Sequence, residues 1–197
     1  MPRARQSTTA LAPVAREPHR AAVVDWRARG TYVALSGGTP DADDLGGTFA
    51  LSWSDRGLRV RVALRDDDHR PSAAVDRLWE GDSIQLAVAR GLPGQDPASR
   101  VELGIHPGEA TSVYRYTAPA GTVSTVTAKV VRQAGTTAYD VVVPWAELGV
   151  DPKDGAFSFS LLANDNDGGT RQGFLEWGSG IGPSKNAALF VPVVPVR

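Results

Sequence analysis

The 197-residue chain contains no cysteine, which removes disulfides, thiolate nucleophiles and Cys-based zinc sites together. Met1 is its only methionine, and no His or Met pair stands out as axial ligands for a heme iron. Long apolar runs are missing too. No stretch reaches the roughly 18 apolar residues that would span a bilayer. Charge of one sign is also lacking: the formal net charge of −1 provides no long-range field to gather phosphates, so nucleic acid and anionic membrane are poor partners.

The nucleophile chemistries lack a base. His19 lies in an unpatterned stretch, His69 follows an acidic turn and His106 precedes Pro107 at a strand end, none of them a promising partner for Ser/His/Asp chemistry. Paired carboxylates for glycoside hydrolysis stay open, because their separation is a three-dimensional quantity. The run Gly178-Ser179-Gly180-Ile181-Gly182-Pro183 has neither GxGxxG spacing nor a following helix, so no nucleotide is expected. It reads as a flexible or tightly turned surface loop.

What is present is an ordinary globular composition, 42% apolar and 22% charged, sufficient to bury a core without disulfides. Residues 1–20 mix Pro, Ala, Arg, Ser and Thr without a period of 2 or 3.6, which predicts a flexible linker or tail. They lack the continuous apolar core of a signal peptide. Met1 is therefore expected to open an expressed fragment of a longer secreted protein.

From Ala21 to Arg197 short alternating runs are broken by Gly, Pro and Asp every 8–12 residues, the pattern of a single sandwich domain. Leu58, Val60, Val62 and Leu64 alternate with Arg59, Arg61 and Ala63; Phe49, Leu51 and Trp53 alternate with Ala50 and Ser52. Ile84, Leu86 and Val88 are interleaved with Gln85, Ala87 and Ala89, and Val101, Leu103 and Ile105 with Arg100, Glu102, Gly104 and His106. Each run predicts one buried and one polar face. Further strands are expected at 123–132, 137–143 and 155–163. Only Pro144–Gly149 has helical punctuation, Pro at the start and Gly at the stop. The predicted fold is an all-β, two-sheet antiparallel β-sandwich, jelly-roll-like, with one short helical turn.

Two acidic turns, Asp66-Asp67-Asp68 and Asn164-Asp165-Asn166-Asp167, could supply several of the six to eight oxygens that calcium takes. Asp66, Asp68, Asp165 and Asp167 are the candidate ligands, against the alternative of polar turns. Five tryptophans carry more information. Trp53 continues an apolar strand face and Trp145 sits in the short helical turn, so both are expected in the core, and Trp26 is undecided. Trp79 and Trp177 lie among turn residues, in DRLWEGDSIQ and FLEWGSGIGPS. Large aromatics in rim loops are costly to expose unless something covers them, and an indole can stack on the C–H face of a pyranose.

The segments LRVRVALRDDDH, LWEGDSIQLAV, YDVVVPWAELG, FSFSLLANDND and RQGFLEW occur in an order that resembles the family 9 carbohydrate-binding modules, from about Asp44 to the C-terminus. The resemblance implies a non-catalytic β-sandwich that clamps a sugar between two tryptophans, here Trp79 and Trp177, with structural calcium. Gln85 stands where the family carries a sugar-binding carboxylate, and Phe174 where it carries a polar residue. Gln85, Glu102, Arg100 and His106 would hydrogen-bond hydroxyls of a poly- or oligosaccharide. An extracellular module tethered to a catalytic domain follows from the same resemblance. Its rivals are a structural or docking sandwich that has lost the sugar and a heme-binding sandwich.

Overall fold

A computed structural model describes residues 10–19, 21–36, 44–107 and 111–196. In chain order the described strands are β1 (Ala12–Arg16), β2 (Val23–Asp25), β3 (Thr31–Ala34), β4 (Leu45–Ser54), β5 (Gly57–Asp66), β6 (Ser83–Arg90) and β7 (Val101–His106), followed by β8 (Ser112–Arg115), β9 (Gly121–Thr122), β10 (Thr127–Gln133), β11 (Thr136–Val143), β12 (Phe157–Asp165), β13 (Gly173–Trp177) and β14 (Val191–Val196). Two single helical turns, α1 (Trp26–Arg29) and α2 (Trp145–Leu148), interrupt them. The expected turn is α2, stopped by Gly149 at φ 66°, a left-handed value that glycine adopts without a Cβ penalty. The turn at α1 is not legible in the sequence. Asp25 caps it by accepting from the Ala28 N–H at 3.0 Å, while Trp26 inside it is fully buried.

The strands form one hydrogen-bonded path, β10-β11-β5-β4-β1-β14-β12-β6-β7-β8-β9, with β2 on β4, β13 on β12 and β3 on β13. The path curls over itself into two packed layers. Phe49, Val60, Val62, Tyr139 and Val141 of the β10-β11-β5-β4 layer meet Ile84, Leu86, Phe157, Phe159 and Leu161 of the other in one apolar core. These are the residues that period-2 alternation assigns inward.

Two features depart from the sequence reading. The stretch Ala12–Arg16, expected within a flexible tail, is a strand parallel to both β14 and β4, and its Val14 is 1% exposed. Pro13 obscures it, because proline argues against an interior strand, and five residues are too few to show a period. Residues 1–9 of the tail lie outside the described residues. Second, β6 and β12 are buried along nearly their whole lengths, on both faces. Ala87, Ala89 and Leu162 on their outer face pack with Phe174 of β13 and with Ile181, Ala187 and Phe190 from the segment between β13 and β14. The glycine-rich run therefore covers a sheet face, with Ile181 fully buried.

Candidate functional site

The outer face of the β7-β6-β12-β13 layer is set by register. Gly104, Gln85, Leu162 and Glu176 fall in one row across the four strands, and Asn164 pairs with Phe174 in the next. The side chains here form a connected polar network. The Asn164 amide donates to Ser83 Oγ at 2.9 Å and to Gln85 Oε1 at 3.2 Å, and the Gln85 amide donates to Glu102 Oε1 at 3.2 Å. Lys185 Nζ reaches the same Glu102 oxygen at 2.6 Å, and Arg100 pairs with the other. Glu102 is 1% exposed. A carboxylate that deep is tolerated only because two cations and an amide meet it.

One end of this face holds a second polar group. The Arg171 guanidinium lies 4.5 Å from the centroid of the Phe174 ring, and burial pushes it down to about 10 despite the nearby Glu176 charge. Its Nε and Nη2 are buried without a hydrogen-bond partner, as is Glu176 Oε2. Burial raises the Glu176 carboxyl in turn. Unmet donors beside an unmet acceptor match a group that both donates and accepts, as a hydroxyl does.

At the other end β7 presents Gly104, where any side chain would force its neighbours to shift. A Cβ on Gly104 would stand 2.9 Å from the Tyr116 ring and 3.0 Å from Leu78. Tyr116 packs there, beside the turn Val75–Glu80 that carries Trp79. Trp79 is 40% exposed, the one tryptophan presented so openly. The structure thus brings Gln85, Glu102 and Arg100 together, with the turn that carries Trp79 beside Gly104 and Tyr116. His106 is held elsewhere, its Nε2 donating to the Ser72 carbonyl at 2.8 Å. Trp177 points to the opposite face of β13, its ring 5.1 Å from Phe49 and 6.1 Å from Phe159. Because side chains alternate, a tryptophan one residue after Glu176 faces the core. Trp53 and Trp145 pack against that core.

Sequence reasoning misses Arg171, Glu176, Tyr116 and Lys185. Nothing local marks Arg171 except its place between an acidic turn and a strand. Lys185 comes from a distant loop, and only the fold brings it to Glu102.

The two acidic turns meet at one end of the layers. Asp44, Asp67 and Asp167 offer oxygens within 4.8 Å of one another. Burial and neighbouring carboxylates raise Asp44 to about 6 and Asp167 to about 7. Asp165, 1% exposed, accepts from the Tyr32 hydroxyl at 2.7 Å and leaves Oδ1 without a partner. Asp68 instead pairs with Arg70 at 2.7 Å on the surface. Beside this cluster, Asp66, His69 and Asp82 form a second group. These clusters can hold metal ions.

A groove of about 840 Å³ lies on the other layer, over Arg59, Arg61, Lys129, Val131 and Asp140. The Phe49 and Tyr139 rings beneath it turn inward to the core.

Residues 26–193 match the model of the carbohydrate family 9 binding domain-like family. The chain belongs to that family. Among solved structures it is similar to a family 9 carbohydrate-binding module from Caldicellulosiruptor kristjanssonii in complex with cellotriose, at 15% identity and TM-score 0.66, covering 94% of this chain and 93% of that one. The same organism's family 9 module in complex with glucose matches at 14% identity and TM-score 0.65, covering 95% and 96%. A search of curated proteins gives no match. This family 9 module is a non-catalytic β-sandwich of the expected class, with the strand β1 added in parallel at the seam.

Proposed function

We propose that this module binds a sugar on the outer face of the β7-β6-β12-β13 layer, stacking it on Trp79 and holding its hydroxyls with Glu176, Arg171, Gln85, Glu102 and Lys185. The observation that carries the reading is the set of unmet polar atoms on Arg171 and Glu176 beside a buried polar network, on the layer whose rim presents an open indole. The glucose and cellotriose bound to its structural relatives make a glucan end the first ligand to try. Trp177 enters this reading as a core residue beneath the face. The rival, a sandwich that has lost its ligand, draws on Phe174, whose buried ring fills the end of the face under Gly182.

Titration calorimetry with glucose and cellotriose tests the site. Loss of one stacked ring should cost on the order of 1–3 kcal/mol, borrowing the range for bases on aromatics, or roughly a tenfold to hundredfold in affinity. Trp79→Ala should show that loss at an unchanged melting temperature. Normal affinity in Trp79→Ala would remove the indole from the site.

The all-oxygen cluster of Asp44, Asp67 and Asp167, with Asp165 beside it, suits calcium, a hard cation that takes carboxylates readily. We assign the cluster a structural calcium, and the module an extracellular setting and a tether to a larger polysaccharide-acting protein.

A further inference from the structure

The group Asp66, His69 and Asp82 differs in chemistry from the all-oxygen cluster beside it. Asp66 is 2% and Asp82 1% exposed. Both oxygens of Asp66 and Nδ1 of His69 are buried with no hydrogen-bond partner. Asp82 is already engaged, its oxygens accepting from the backbone N–H groups of Arg70 and Asn166. His69 Nδ1 stands 3.5 Å from Asp66 Oδ2 and 3.7 Å from Asp82 Oδ2.

Those separations are long for N–H···O hydrogen bonds, which cluster near 2.9–3.0 Å. They fit donors converging on one ion. Ligand atoms about 2.1 Å from a tetrahedral centre stand roughly 3.4 Å from each other. Two buried carboxylates also repel: burial and the Asp66 charge raise Asp82 to about 8. The Tyr139 hydroxyl, close enough to feel both charges, is buried without a partner too. An imidazole nitrogen among the donors favours a zinc-class ion over calcium or magnesium, which prefer oxygen.

We propose that Asp66, His69 and Asp82 form a second cation site that takes a zinc-class divalent ion, separate from the calcium cluster. The ion would join the end of β5 to the start of β6. Asp82 already closes the intervening segment, exchanging backbone-level hydrogen bonds with Arg70, and that segment carries Trp79. The site would thus brace the loop that presents the indole.

Zinc chloride titrated into chelator-treated protein, followed by calorimetry, should show one tight equivalent. His69→Gln should weaken it by more than the roughly 10- to 100-fold that loss of an outer-shell partner causes, while calcium binding by the same variant stays as in the parent. A zinc-soaked crystal of the parent protein, read by anomalous scattering, is the check that needs no variant. It should show the ion between these three residues. Zinc bound equally well by His69→Gln, no tight zinc in the parent, or an anomalous peak only at His19, His106 or the calcium cluster would overturn the site. In each case His69 would be an ion-pair cap on Asp66 and Asp82.

Discussion

The two layers of the sheet bury themselves differently. In the β10-β11-β5-β4 layer the strands alternate, and β5 shows it residue by residue, with Arg61, Ala63 and Arg65 exposed between buried Val60, Val62 and Leu64. In the other layer β12 has no exposed residue at all. The outward face of the first layer meets water and carries ion pairs such as Arg59–Asp140. The other is roofed by the segment between β13 and β14, so its outward polar residues must satisfy each other or a ligand. That constraint explains why the polar network and the unmet Arg171 and Glu176 atoms belong to the roofed layer.

The sharpest way to break the contrast is to cut the same kind of side chain on each layer. Leu162→Ala, from a fully buried position on the roofed outer face of β12, should cost about 2–5 kcal/mol in urea denaturation. Val131→Ala, 47% exposed on β10, should stay within about 0.5 kcal/mol. Equal losses would show that the open layer is covered in solution.

Next in size is the polar network itself. Glu102→Ala removes the acceptor shared by Gln85, Lys185 and Arg100, and breaking a buried pair costs roughly 3–5 kcal/mol. Lys185 is 48% exposed and can turn to water, which places the expected loss near the lower end. A denaturation midpoint unchanged from the parent would mean that the network is not formed. Chelation should follow. An ion held at 100 times its Kd contributes about 2.7 kcal/mol, roughly 5–10 °C in melting temperature for a chain of this size, restored by adding calcium back. An unaltered melt would exclude a tightly held ion.

The contrast also explains which parts of the fold are legible in the sequence. The open layer is legible because alternation is a local signal: the residues from Leu58 to Leu64 declare their faces by spacing alone. The roofed layer is half legible. Gln85, Ala87 and Glu102 show a polar face, but nothing near them announces that Ile181 and Phe190, about 95 residues or more beyond Gln85, cover it. Trp177 is misplaced by sequence reasoning for a related reason. The glycine-rich stretch after it suggests a loop, whereas β13 extends as far as Trp177 and parity turns its ring inward. The acidic turns are visible as two separate clusters. Their meeting at Asp44, Asp67 and Asp167, and the part played by His69 and Asp82, require the fold.

The smallest expected effect belongs to the open layer and tests its solvation. Arg59 holds the Asp140 carboxyl below its ordinary range, through a hydrogen bond first and its charge second, against the opposing effect of burial. The pair lies on the surface, with side chains 28% and 39% exposed. A depressed folded pKa stabilises the fold above the unfolded value, near 3.9, and that stabilisation is lost as pH falls through the folded value. Solvent screening keeps the contribution under about 1 kcal/mol. Asp140→Asn should therefore lower stability by less than that at pH 7, and by less still as acid protonates Asp140 in the parent. Urea denaturation of both proteins from pH 7 to pH 2.5 measures the difference. A loss of several kcal/mol at pH 7, or a gap between the two that does not close below pH 4, would mean that this pair is shielded from water and that the two layers are not solvated differently.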